Sequence, residues 1–62
     1  MNVARFIIYK VDVRTELGEK EIVSVTAVDE QDAEDLALSL VMNGRLGLKG
    51  RVCTYNVVVD EE

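Results

Sequence analysis

The sequence predicts a small α+β domain in which a three-stranded antiparallel sheet carries one helix on one face. Two observations support this fold class: β-patterned runs stand on both sides of an apolar helical stripe, and a cluster of acidic residues marks where the helix begins. With 62 residues, the chain has room for a single domain, residues 1–62. The predicted element order is β-β-α-β, and the predicted strand order in the sheet is 2-1-3.

The first strand is predicted over residues 3–13, where Val, Ile, Phe and Tyr are frequent. Apolar residues occupy both alternation phases of this run: Ala4, Phe6 and Ile8 on one side, and Ile7, Tyr9, Val11 and Val13 on the other. A strand with two apolar faces usually lies in the centre of a sheet. This pattern therefore places the first strand between the other two.

The remaining strands are delimited by polar and glycine-containing segments. Residues 14–19 predict a hairpin loop, and a second strand follows over residues 20–28. Residues 43–50 contain three glycines and predict an irregular loop, after which residues 51–59 return to a strand pattern. The acidic residues 60–62 are expected to form a frayed tail.

The helix is predicted to begin at the acidic cluster. Asp29 suits the N-cap position, Asp32 occupies the third helical position, and acids in a first turn interact favourably with the helix dipole. Asn43 and Gly44 predict the end of the helix after about four turns. The apolar stripe that should lie on the sheet consists of Ala33, Leu36, Ala37, Leu40 and Val41.

Composition favours a folded protein with a basic partner. The net charge is −5, from 12 acidic and 7 basic residues, and 48% of residues are hydrophobic, which is typical of a folded chain. This balance disfavours direct binding to nucleic acid, because phosphate contacts require clustered Lys and Arg. No run reaches the ~18 apolar residues of a membrane span, and the N-terminus lacks a signal-peptide pattern. We expect a cytoplasmic protein without a membrane partner.

Residues that commonly carry catalysis or metal are scarce. The chain has no His, and its single Cys, Cys53, has no His to activate it. The acidic residues lack the spacing of a calcium loop, and the glycine-rich loop runs from helix to strand, the reverse of a phosphate-binding loop. We therefore predict a protein that is not an enzyme and that needs neither metal nor cofactor.

The predicted topology separates charge between the two ends of the domain. The helix start and the ends of strands two and three fall at one end, which we call the acidic pole. Its helical residues are Asp29, Glu30, Asp32, Glu34 and Asp35. The opposite end should gather Arg14, Lys20, Arg45, Lys49 and Arg51 together with Glu16 and Glu19. The acidic pole is a candidate for docking on a basic surface, and the alternative is an ordinary solvated helix start.

Apolar residues outside the predicted core suggest two further surfaces. Leu38 and Met42 lie on the helix away from the apolar stripe and, with Leu46 and Leu48, predict a contact patch unless the loop folds back over them. On the uncovered sheet face, several apolar residues should remain exposed, which suggests homodimerisation there. The candidates are Ile7, Tyr9, Val11, Val13, Ile22, Val52 and Val58.

Residues 27–37, with the sequence Ala-Val-Asp-Glu-Gln-Asp-Ala-Glu-Asp-Leu-Ala, are similar to the same segment of small podophage proteins that inhibit bacterial RNA polymerase. Length and element order match these inhibitors, and small anti-CRISPR proteins and phage antitoxins also resemble this chain. The position that aligns with a binding arginine of the polymerase inhibitors is Tyr55. The resemblance implies a class, a compact acidic phage protein that occupies a surface of a host machine, and leaves the machine open.

The leading hypothesis is a non-enzymatic module that inhibits a host protein by covering a basic, nucleic-acid-handling surface, on RNA polymerase or a CRISPR effector. Its predicted contacts are the five acidic-pole residues of the helix, with Leu38 and Met42 as apolar anchors. The alternative is a homodimeric structural module that associates through its open sheet face.

Overall fold

The computed structural model describes residues 5–60 and confirms the predicted fold. Strands β1 (Ile7–Thr15) and β2 (Lys20–Ala27) form a hairpin, helix α1 (Glu30–Met42) follows, and β3 (Val52–Val59) completes the described elements. The strands form a sheet in the order β2-β1-β3, and β1 is antiparallel to both neighbours. The doubly apolar first strand is therefore central, as its pattern predicts.

The hairpin is tighter than predicted. Arg14 pairs with Lys20, and the Thr15 amide donates to the Glu19 carbonyl oxygen at 3.0 Å, so β1 continues two residues beyond its predicted end. At its start β1 begins at Ile7 instead of residue 3, and residues 1–4 lie outside the described part of the chain. The pairing of β1 with β3 shifts between Arg14 and Thr15, which leaves Cys53 at a bulge near the strand end.

The helix has the predicted boundaries. Asp29 is the N-cap, and Asn43 is the C-cap. Beyond it, Gly44 adopts a φ of 69°, and the Arg45 amide donates to the Leu40 carbonyl oxygen at 3.0 Å. This backbone arrangement is a Schellman ending, for which glycine is favoured because it tolerates positive φ.

The core lies between α1 and one face of the sheet. Its buried residues are Tyr9, Val11, Val13, Val25, Ala27, Ala33 and Ala37. Small alanine side chains on the helix allow its backbone to approach the valines of the sheet closely. Leu40 and Val41 pack against this core as predicted, but Leu36 is 39% exposed and does not join the buried stripe. The prediction for Leu36 was wrong because the helix faces the sheet through its alanines.

The open sheet face differs from the predicted apolar surface. Tyr9, Val11 and Val13 are buried beneath the helix, whereas Ile22 and Val58 are exposed as predicted. The cross-strand register places polar residues between these two on the open face: Lys10, Asp12, Arg14, Ser24, Thr26, Thr54 and Asn56. Within residues 5–60, these polar residues lie among the exposed Ile8, Ile22 and Val58 and divide the apolar area of the open face into smaller parts.

Charged side chains on the open face also pair with one another. Lys10 Nζ lies 3.6 Å from an Asp60 carboxylate oxygen, and Asp12 lies between Arg14 and Lys20, at 3.4 and 3.9 Å. The charges of Arg14 and Lys20, which we predicted at the end opposite the acidic pole, are therefore partly balanced by Asp12.

A single carboxylate joins the two loops at the end of the domain opposite the acidic pole. Oε1 of Glu19 accepts hydrogen bonds from the backbone amides of Lys49 and Gly50, at 3.0 and 2.7 Å, and from the Thr15 hydroxyl at 2.9 Å. These bonds, first those from Gly50 and Lys49, lower the pKa of Glu19 below its ordinary value of 4.5. The ionised carboxylate thus holds the loop after α1 against the hairpin, and Leu48 of that loop packs on the core.

Candidate protein-binding surface

Two of the predicted site residues at the acidic pole have a structural role. The Asp29 carboxylate accepts the Asp32 amide at 2.8 Å, and the Asp32 carboxylate accepts the Val28 amide at 3.1 Å. Each side chain thereby satisfies a backbone donor that the helix start leaves unpaired. Asp29 and Asp32 stabilise the start of α1, and their presence is explained without a partner.

The other acidic residues of the helix are arranged differently. Glu30 and Glu34 lie one turn apart on the flank of α1 that faces β3, where they border an open groove of about 430 Å³. The groove is also lined by Gln31 from the helix and by Tyr55 and Val57 from the sheet. We call it the helix–β3 groove. It combines two carboxylates with an aromatic ring and an aliphatic floor.

The Glu34 carboxylate on the helix side of the groove affects the ionisation of Tyr55 on the β3 side. Burial raises the pKa of the Tyr55 hydroxyl, and the nearby Glu34 carboxylate raises it further because it disfavours a second negative charge. The phenol is therefore neutral at physiological pH. A cationic side chain fits such a site, since its charged end can meet a carboxylate while its aliphatic stem packs on the ring and on valine.

The carboxylates of the helix are available to a partner. Within residues 5–60, the ion pairs involve Asp12 and Asp60, and none involves an acidic residue of α1. Asp35 is exposed and accepts a hydrogen bond from the Gln31 side chain at 3.2 Å. Glu30 and Glu34 thus keep the negative potential of the groove unneutralised among the described side chains.

The strand ends meet the helix start as the topology predicts. Ile7 pairs with Ala27 at the end of β2, and the Asp60 amide donates to the Ile8 carbonyl oxygen at 2.9 Å. Asp60, which we expected in a frayed tail, is therefore hydrogen-bonded to β1. Glu61 and Glu62, the other predicted tail residues, lie outside the described residues.

Leu38 and Met42 are exposed, at 39% and 77%, as predicted. They follow Glu30 and Glu34 at four-residue spacing, so the four side chains lie on one row that turns about 40° around α1 at each step, away from the flank beside β3. Of the four, Glu30 and Glu34 line the groove. The row is acidic at the helix start and apolar toward its end. Leu46 and Leu48 are half-buried, which leaves the predicted apolar patch smaller than four leucine and methionine side chains would make it.

The sequence analysis missed Val57 and Gln31 as site residues and named Tyr55 only as the position that aligns with an arginine of the polymerase inhibitors. The alternation of Tyr55 and Val57 already places them on one face of β3. Their position beneath Glu30 and Glu34, however, depends on which sheet face the helix covers and on where along the sheet it lies.

Within the described part of the chain, no helix is long and apolar enough to span a membrane. Nor do residues 5–60 bring together three or more Cys, Asp or Glu side chains in a geometry that suits a metal ion. Fold and surface thus define a small acidic α+β domain with a carboxylate-lined groove beside an edge strand. Comparison with family models, curated proteins and solved structures found no match to this chain.

Proposed function

We propose that this protein is a non-enzymatic, cytoplasmic protein-binding module that inhibits a host machine by occupying one of its basic, nucleic-acid-handling surfaces. The observation that carries the proposal is the helix–β3 groove, in which the Glu30 and Glu34 carboxylates flank an aromatic ring without a basic neighbour among the described ion pairs. The similarity of residues 27–37 to phage inhibitors of RNA polymerase supports the same class of function.

Charge complementarity is the physical basis of the inhibition. A surface that normally binds nucleic acid is rich in Lys and Arg, so an acidic domain with net charge −5 is attracted to it and competes with the polyanion. Such attraction raises the rate of association more than it raises the final affinity. The exposed Leu38 and Met42 side chains add apolar contact area that fixes the bound orientation.

The acidic residues divide into two groups in this proposal. Glu30, Glu34 and Asp35 attract the partner, whereas Asp29 and Asp32 also cap the helix through the bonds described above. A binding test should therefore leave the two capping residues intact, because their loss would weaken the helix itself.

The test is capture of the host partner with tagged protein, followed by an inhibition assay on the purified machine. We expect the double variant Glu34→Lys, Asp35→Lys to lose both partner capture and inhibition at moderate salt, while its circular dichroism spectrum stays that of the wild type. The matched control, Glu16→Lys with Glu21→Lys, makes the same change in net charge at the other end of the domain. It should retain both activities.

Purified bacterial RNA polymerase in a transcription assay and a CRISPR effector in a cleavage assay separate the two candidate targets. Inhibition of one assay by the wild type but not by the double variant would identify the target class. Equal capture and inhibition by both variants would refute a role for the acidic pole, since charge at that end would then make no difference.

A further inference from the structure

Within residues 5–60, the outer edge of β3 beyond the bulge at Cys53 has few of the features that protect an edge strand. Natural sheets commonly block such edges with charged residues, proline or a covering segment, because unpaired backbone groups bind other strands. Residues Val52–Val59 contain neither proline nor a charged side chain. The other edge strand, β2, begins with the charged pair Lys20 and Glu21.

The hydrogen-bond pattern shows which backbone groups of β3 are free. The Asp60 amide donates to the Ile8 carbonyl oxygen, and the Thr15 amide donates to Glu19 on the opposite side of β1. Because bonding alternates along an antiparallel pair, even-numbered residues of β3 from Thr54 onward face β1. The N–H and C=O groups that point away from the sheet belong to Tyr55, Val57 and Val59.

Tyr55 and Val57 line the helix–β3 groove, and Val59 follows them on the same face of β3. The register places Tyr55, Val57 and Val59 opposite Val13, Val11 and Tyr9 of β1, on the sheet face that carries the helix. Alternate side chains of a strand added at this edge would lie on that face too, next to the flank of α1. The free backbone groups of β3 and the Glu30 and Glu34 carboxylates of the helix would therefore contact the same ligand segment.

The spacing of alternate side chains along an added strand is close to the spacing of Glu30 and Glu34 along the helix. Alternate residues of a strand are about 6.6–6.8 Å apart, and residues four apart on a helix are separated by about 6 Å along its axis. A segment antiparallel to β3 runs in the direction from Glu30 toward Leu38. Successive alternate side chains of that segment would meet Glu30 and then Glu34, the two carboxylates that line the groove.

We propose that the edge of β3 binds an extended, basic segment of the partner protein as an additional antiparallel strand, with Lys or Arg at two alternate positions. This inference rests on the proposed function and specifies the partner's binding element. The main-chain bonds supply affinity, and Glu30 and Glu34 supply the preference for a basic sequence.

Charge argues against a second copy of this chain as the occupant. Two β3 edges paired together would bring the Glu30 and Glu34 carboxylates of both copies toward the same seam. Each copy also carries a net charge of −5, so two copies would repel each other. A basic segment at the same edge would be attracted by these charges.

The test is a titration of the isotope-labelled protein, followed by amide NMR, with a short synthetic peptide in which lysine alternates with threonine. We expect the largest shifts at the amides of Tyr55, Val57 and Val59 and along the flank of α1. Glu34→Lys should weaken binding about tenfold or more, and Glu21→Lys on the other edge strand should leave the affinity unchanged.

A backbone variant separates strand addition from simple charge attraction. Val57→Pro removes an outward N–H while leaving the bonds to β1 intact, and proline is tolerated on sheet edges. It should weaken the peptide about fivefold to tenfold. The same peptide with N-methylated backbone amides keeps its charge and should bind as weakly, so the inference stays testable even if the proline variant does not fold.

Equal binding of the plain and N-methylated peptides would overturn strand addition. So would β3 amide shifts that depend on protein concentration without peptide, because they would identify a second copy as the occupant. The two proposals fail separately: a host partner that is lost with Glu34→Lys, Asp35→Lys but fully retained by Val57→Pro would uphold the inhibitor and refute strand addition.

Discussion

Truncation of Val11 to alanine tests the arrangement of helix and sheet most directly. Val11 is fully buried on the central strand, at 0% exposure, within the core beneath the helix. Val11→Ala removes the equivalent of two methylene groups, worth about 1.6 kcal/mol of transfer free energy, and incomplete collapse of the cavity brings the expected loss to about 2–3 kcal/mol. The core of a domain of this size rarely supplies more than about 3–5 kcal/mol, so this loss is a large fraction of the stability.

The matched control makes the same deletion on the opposite face of the sheet. Val58 is 48% exposed and pairs with Lys10 on the open face, so Val58→Ala should cost about 0.8 kcal/mol, half the transfer term and no cavity. Both free energies of unfolding are measured by urea titration with far-UV circular dichroism, in a constant concentration of a stabilising osmolyte. An equal or larger loss for Val58→Ala would show that the helix covers the other face, and the reasoning would fail.

Two further predictions concern residues that hold the ends of the domain. Asp29→Ala removes the acceptor of the Asp32 amide and should lower the free energy of unfolding by about 1 kcal/mol, whereas Asp29→Ser should restore most of it; an unchanged urea midpoint in the alanine variant would contradict the capping role. The lowered pKa of Glu19 stabilises the fold above about pH 4.5, and this contribution is lost as pH falls through the folded-state pKa. Glu19→Gln should therefore show a shallower loss of stability below pH 4.5, and parallel acid titrations of the two proteins would disprove it.

The capping bonds change how the acidic cluster is interpreted. From composition alone, Asp29, Glu30, Asp32, Glu34 and Asp35 form one group, since all lie in or beside the first helical turns. The structure shows that Asp29 and Asp32 satisfy backbone donors, while Glu30 and Glu34 border a groove. A charge-reversal experiment that includes Asp32 would therefore mix loss of the helix start with loss of binding.

Local patterns were sufficient for the elements and their order. The N-cap at Asp29, the helix ending at Asn43 and Gly44, and the central position of β1 follow from short-range rules, because capping geometry and strand alternation depend on nearby residues. The exposure of Leu38 and Met42 was likewise predictable from helical periodicity.

The covered face of β1 was indicated by the sequence along only part of the strand. The odd-numbered residues are apolar from Ile7 to Val13, whereas the even-numbered residues are apolar at Phe6 and Ile8 and charged from Lys10 to Arg14. The helix packs on the odd-numbered face, where Ala33 and Ala37 meet the valines of the sheet.

Two other features could be identified only in the folded chain: the helix–β3 groove and the hydrogen bonds of Glu19 that join the two loops. Glu34 and Tyr55 are far apart in sequence and become neighbours when the crossover helix lies beside β3, just as Glu19 meets the amides of Lys49 and Gly50 through the approach of two loops. The sequence by itself determined the elements, their order and the sign of the charge. Tertiary structure decided which side chains share a surface, because that depends on packing between segments that no local pattern relates.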